Sequence, residues 1–321
     1  MKLRSMLIST LLYATLAGCG YIAVTAAPQK KATTARTEAA LKADALFWDT
    51  LHGAKYDQIP SALEAVTGAY LANPSDPVTA AHAGWLHIWR LAESARRDAV
   101  PATITDDAIL ARRYFDEAVR LHPGEARYLG FLAGTTLAEG NIHKDEKLTR
   151  KGYYQMLDAV DAWPEFNLFT AGYTMSRQPA DSERYKQALE WQWETLDVCV
   201  GEKINRADPG YAKYMSLATT EGRKRVCWNS WIAPHNFEGF FLNMGDMLVK
   251  AGDWQAAQKI YANAKLSPTY AQWKFREVLE QRIRDAQTNV AVFKAADLAE
   301  DKTHQRIMVA STFACMGCHQ N

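Results

Sequence analysis

The chain has 321 residues, 48% hydrophobic and 23% charged, enough apolar material for one large or two ordinary domains and unlike a disordered chain. A formal charge of +1 gives no basic excess for phosphate binding by counterion release, which argues against nucleic acid as a partner. Glycine (18) and proline (11) are modest and no alternating runs of Val, Ile and Thr stand out, so nothing argues for a sheet-based architecture and an all-α one is expected.

Met1-Lys2-Leu3-Arg4 is a short basic head, and the apolar stretch from Met6 to Ala17 has the length of the h-region of a secretory signal. Leu16-Ala17-Gly18-Cys19 follows and resembles the lipobox of bacterial lipoproteins. The resemblance implies a signal peptide at 1–18, lipidation of Cys19, and a chain anchored in the bacterial cell envelope facing the periplasm. Cleavage takes Lys2 and Arg4 away, leaving 35 basic against 36 acidic residues and a charge of −1. Two other readings stay open: an uncleaved anchor continuing through Val24, and ordinary cleavage near Ala26. Gly20 stands where lipoproteins kept at the inner membrane commonly carry Asp, so the resemblance favours the outer membrane. Pro28 to Arg36 is polar and aperiodic, completing a lipidated tether over 19–36, with the body beginning near Thr37.

Along the body one spacing recurs: a small residue, a large apolar one four later, alanine three later, and proline about five later. It occurs at Ala62/Val66/Ala69/Pro74, Ala111/Phe115/Ala118/Pro123 and Gly152/Met156/Ala159/Pro164, and at Ala257/Tyr261/Ala264 with Pro268 one residue early. Steps of four and three share one helical face, and proline ends the helix because it lacks a backbone donor. Before the last instance, Phe241 to Leu248 and then Ala251-Gly252-Asp253-Trp254 supply a first helix and a tight turn. This resembles a tetratricopeptide repeat. The resemblance implies an antiparallel helix-pair array over 37–290 whose inner surface docks a protein partner. The spacings are irregular, with insertions expected around Arg97 to Asp107 and Gly140 to Arg150, and the pattern fades between Phe166 and Pro234.

Five cysteines are present. Cys19 belongs to the lipobox; Cys199 and Cys227 remain as a possible disulfide in an exported chain, with two buried free thiols as the alternative. The last two lie in Cys315-Met316-Gly317-Cys318-His319, within a C-terminal segment 291–321, and this CxxCH resembles the attachment motif of c-type cytochromes. The resemblance implies one covalent haem c, with Cys315 and Cys318 as thioether donors and His319 as axial iron ligand. A zinc site would need a fourth ligand, and a redox dithiol would be expected at the start of a βαβ unit. Lys302 to Ala314 reads as a helix leading into the motif. On it Met308 and His304 would lie about 16 and 22 Å from His319, too far for the same iron. Candidates for a distal ligand are therefore His235, Met244, Met247, His82 and His87, or none, with His235 preferred.

Ten tryptophans include Trp191, Trp193, Trp228 and Trp231 near the cysteine pair, where core packing is the expected use. No HExxH, nucleophile elbow, P-loop or dinucleotide fingerprint occurs, and Asp106-Asp107 and Glu300-Asp301 read as solvated helix ends. The sequence thus points to a membrane-anchored periplasmic monohaem protein for electron transfer, a carrier more than an enzyme. The alternatives are a docking or assembly lipoprotein whose haem is a sensor or absent, and a peroxidase-like haem enzyme.

Overall fold

Thr37, where the body was expected to begin, caps the first helix: its hydroxyl accepts from the Ala40 amide at 3.1 Å. The computed structural model describes residues 22–33, 35–93, 99, 102–228, 236–295 and 306–319. The chain divides after Ala32. On the N-terminal side residues 22–25 form one helical turn, closed by the Ala26 amide donating to the Ile22 carbonyl at 2.8 Å. Cys19, the expected lipidation site, lies outside the described residues, as do Trp231, His235, Glu300, Asp301 and His304. Among the described residues no helix is long and apolar enough to cross a membrane.

The second unit is all-α, with no strand among the described residues. Consecutive helices pack most heavily on one another, in pairs. These are α1 (Glu38–His52) with α2 (Ile59–Ala72), α3 (Pro77–Ala92) with α4 (Ile104–Leu121), and α5 (Ala126–His143) with α6 (Glu146–Ala162). Then come α7 (Pro164–Met175) with α8 (Glu183–Val200), and α9 (Phe237–Ala251) with α10 (Trp254–Asn263). Helices α11 (Arg276–Arg284) and α12 (Ala286–Ala295) follow, and after the undescribed 296–305 a 3₁₀ turn at Met308–Ala310 leads to the short α13 (Ala314–Cys318).

Local chemistry sets the ends. Asp76, Glu125, Asp145, Ser182, Asn236 and Asp253 each accept backbone amides at an N-terminus, satisfying donors that have no partner inside the helix. Gly201 and Gly252 close α8 and α9 in the left-handed conformation that a side chain disfavours. The prolines do what the spacing predicts: α2 stops two residues before Pro74, and α4 two before Pro123. Pro164 both follows α6 and opens α7.

All four small/large/Ala triads are buried, from Ala62, Val66 and Ala69 on α2 to Ala257 and Tyr261 on α10 with Ala264 just beyond. In the α3/α4 and α9/α10 pairs a glycine of the first helix stands against the large residue of the second. A Cβ on Gly84 would sit 2.7 Å from the Phe115 ring, and one on Gly245 would overlap Tyr261. Gly172 meets Gln192 in the same way, which exposes a fifth instance on α8: Ala188, Gln192 and Thr195, all buried. There the large residue is an amide, whose Nε2 donates to the Phe169 carbonyl at 3.2 Å, and threonine replaces alanine.

Three expectations are corrected. No insertion separates α5 from α6: Lys144, in the left-handed conformation, and the cap Asp145 make the whole turn, and the helices are simply long. The lead-in to the motif is not a continuous helix, since residues 306–313 form a 3₁₀ turn and bends. Asp107 is buried, not solvated: it accepts from His87 Nδ1 at 2.8 Å and lies 3.5 Å from Arg90. Cys199 and Cys227 are joined, with Cα atoms 5.7 Å apart. Closing 28 residues stabilises the fold by about 3.5 kcal/mol on loop-entropy grounds. Trp191, Trp193 and Trp228 are buried, as core packing requires.

Candidate functional site

A peptide that returns over a finished helix array must find partners for its own backbone. Residues 306–319 find them in buried side chains of α9 to α11 and near the end of α3. Asp246, fully buried on α9, accepts from the Met308 amide at 2.9 Å, from the Tyr261 hydroxyl at 2.6 Å and from Arg282 Nε at 3.1 Å. Burial pushes this carboxyl up against the downward pull of Arg282, Tyr261 and the Met308 amide. Arg282, also buried, donates from Nη2 to the Arg306 carbonyl at 2.7 Å. The Asn236 amide donates to the Cys318 carbonyl at 2.7 Å, and Glu93 Oε1 accepts from the Cys315 amide at 3.2 Å.

The motif itself is buried. Cys315 is 7% exposed, Cys318 2%, and His319 5%. The helix α13 is one turn, closed where the His319 amide donates to the Cys315 carbonyl at 2.9 Å. It seats on the first turn of α9 at Gly239, where a Cβ would stand 2.7 Å from Cys318 Sγ and collide with the Gly317 carbonyl. Met308 folds back so that its sulfur would lie 3.4 Å from a Cβ on Gly317. The 16 Å separation expected of a helix therefore does not hold, yet Met308 packs behind the motif and not in the cavity described next.

Cys315, Cys318 and His319 line one cavity of about 440 Å³, within the range of small-molecule and cofactor sites. Its walls come from the first helices of three successive pairs: Trp85 and Ile88 on α3, Phe131 and Leu137 on α5, Phe169 and Tyr173 on α7. The His319 ring meets Trp85 edge-on at 4.9 Å, and Trp85 meets Phe131 at 4.1 Å. The Tyr173 hydroxyl is shut off from solvent and has no hydrogen-bond partner among the described residues. Lys144, Arg177 and Arg184 line the cavity with exposed side chains, and no aspartate or glutamate of the described residues does.

Burial, with the nearby Glu93 carboxylate and the other thiol, pushes the Cys315 thiol well up, and burial pushes Cys318 up too. The two cysteines are buried and not joined to one another, and their thiols are shifted upward, the opposite direction from the exposed, low-pKa thiolate of a redox dithiol. Among the described residues no group of three His, Cys, Asp or Glu side chains is close enough together to hold a metal ion. Two thiols and an imidazole on the wall of an apolar, aromatic cavity fit a flat macrocycle held by two thioethers and one axial nitrogen.

The other proposed iron ligands fall elsewhere. His82 stacks on Phe47 at 4.0 Å and pairs with Asp44 at 2.8 Å; His87 pairs with Asp107. Met244 and Met247 are fully buried, Met247 accepting from Asn243 Nδ2 at 3.7 Å. None of these four lines the cavity. They are core and structural residues. Met175 is the methionine that does line it, and sequence reasoning passed it over. Trp85, Tyr173, Gly239 and Asp246 were missed too; the spacing of Gly245 before Tyr261 was the one signal that α9 faces something close. No protein-family model matches the chain, and neither a curated protein nor a solved structure matches it.

Proposed function

We propose that the chain is a membrane-anchored, periplasm-facing monohaem c-type protein for electron transfer, lipidated at Cys19, with a tetratricopeptide-like helix array as its scaffold. The observation that carries the reading is the convergence of Cys315, Cys318 and His319 on one apolar cavity. Cys315 and Cys318 would hold the haem through thioethers, and His319 would be its axial ligand. The bound haem supplies a one-electron couple. The chain's own residues do the rest: Trp85 fixes the plane of the His319 ring, and the aromatic walls keep water from it. A low-dielectric setting of this kind is one lever on a haem potential.

Residues of α3, α5 and α7 and of the chain's own tail line the cavity together, so partner docking is assigned to the remaining surface of the array. Peroxidase-like chemistry needs an acid/base side chain beside the iron, and the groups of that kind on the cavity lining among the described residues are the shielded Tyr173 hydroxyl and the Lys144 amine at the rim. The test is a pyridine haemochrome spectrum of the protein exported from a host with cytochrome c maturation. A c-type spectrum is expected, lost in Cys315→Ala/Cys318→Ala; an empty wild-type protein sinks the reading and leaves a helix-array docking lipoprotein.

A further inference from the structure

Cations at the rim of an apolar cavity are the expected partners of an anionic ligand edge when nothing in the protein neutralises them. Several arginines of the chain have a carboxylate partner: Arg36 pairs with Asp44 and Asp76, Arg112 with Glu139, Arg127 with Glu125, Arg282 with Asp246. Lys144, Arg177 and Arg184 have no ion-pair partner among the described residues. They gather for a topological reason. Successive pairs are antiparallel, so the first helices α5 and α7 run parallel and end on the same side, where α8 begins. Lys144 follows α5, Arg177 follows α7, and Arg184 is in the first turn of α8.

The cavity extends along α5 from Phe131, beside Trp85 and the His319 end, to Lys144. Thirteen residues of helix span about 20 Å, and the long side chains of Lys144, Arg177 and Arg184 line the cavity from its far end. Tyr173, whose shielded hydroxyl has no partner, lies along the same wall.

We infer that Lys144, Arg177 and Arg184 form a carboxylate-binding rim that receives the two propionates of the haem. The inference rests on the haem reading above and adds to it an orientation: the carboxylate edge faces the open side, where α5 and α7 end, and the rim selects dianionic over neutral porphyrins. Charge-assisted contacts to carboxylates supply the selectivity, and their exposure keeps each one modest.

The experiment uses protein exported without cytochrome c maturation and titrated with haemin or haemin dimethyl ester in one detergent buffer, followed by absorbance. Wild-type protein should bind haemin about tenfold more tightly than the ester, since each exposed ion pair contributes only a factor of a few. In Lys144→Gln/Arg177→Gln/Arg184→Gln, substitutions confined to exposed side chains, that preference should collapse while ester affinity stays the same. Equal binding of the two porphyrins by wild type, or a preference untouched in the triple variant, overturns the rim. If neither porphyrin binds and the matured protein shows no c-type spectrum, the haem reading itself fails.

Discussion

Gly239→Ala tests how closely the tail is seated on the array. The new Cβ would stand 2.7 Å from Cys318 Sγ and from Asn236 Oδ1, and would overlap the Gly317 carbonyl. A backbone carbonyl held inside α13 cannot swing away as a long side chain can. Overpacking of this kind costs about 1–3 kcal/mol, and alanine returns about 0.5–1 kcal/mol of helix propensity, for a net loss of about 1–2 kcal/mol. Gly68 supplies the control: it lies inside α2 with nothing within 4 Å of a built Cβ, so Gly68→Ala should stabilise by about 0.5–1 kcal/mol. Urea unfolding of haem-free protein reads both as midpoint shifts of opposite sign. Maleimide labelling should also find Cys315 and Cys318 about tenfold more reactive in Gly239→Ala if local opening of the tail takes up the loss. A Gly239→Ala protein as stable as Gly68→Ala, with thiols as protected as in wild type, would refute the seating.

Asp246→Asn keeps the shape of the tail anchor and removes its charge beside the buried Arg282; the expected loss is about 3 kcal/mol, the low end for a broken buried pair because burial already pushes that carboxyl up. A loss under about 1 kcal/mol by urea unfolding would show that the tail is held by packing alone. Asp44 gives a pH dependence. Burial would raise its carboxyl, but hydrogen bonds from His82 and Arg36 outweigh it and hold the group below its ordinary 3.8. A carboxylate depressed in the folded state adds stability above its unfolded pKa, and that stability is lost as pH falls through the folded value. Wild type should therefore lose stability below about pH 4 more steeply than Asp44→Asn, compared as urea midpoints across that range; parallel curves would rule the contribution out.

Much of the fold is visible in the residues because its rules are local. Proline spacing marks where α2, α4 and α6 stop, and the small/large/Ala steps name the buried face, since both depend on neighbours within one helix turn. The α7/α8 pair escaped notice because Gln192 and Thr195 stand where an apolar residue and alanine were sought, and a buried amide is legible only once its acceptor, the Phe169 carbonyl, is known. Of the site, Cys315, Cys318 and His319 are plain in the sequence. Its surroundings are not. Asp246 reads as an ordinary polar residue of an amphipathic helix until Met308, Tyr261 and Arg282 are found around it, and Trp85 is one aromatic among many until His319 arrives against it. The expected helix over 302–314 gave way, among the described residues, to turns that these long-range partners impose.

Helix-pair arrays ordinarily touch only their sequence neighbours, so they fold locally, fray from their ends and behave as one-dimensional chains of weakly coupled units. Here the Cys315 amide reaches Glu93 across 222 residues, and Lys274 Nζ donates to the Gly53 carbonyl across 221. Such contacts join late helices to early ones and raise the contact order well above that of an open array. The loop they close must form before it is rewarded, which slows folding. Once closed, the first pairs cannot loosen without releasing the tail, so end fraying gives way to cooperative unfolding and the state of residues 306–319 is felt as far away as α1.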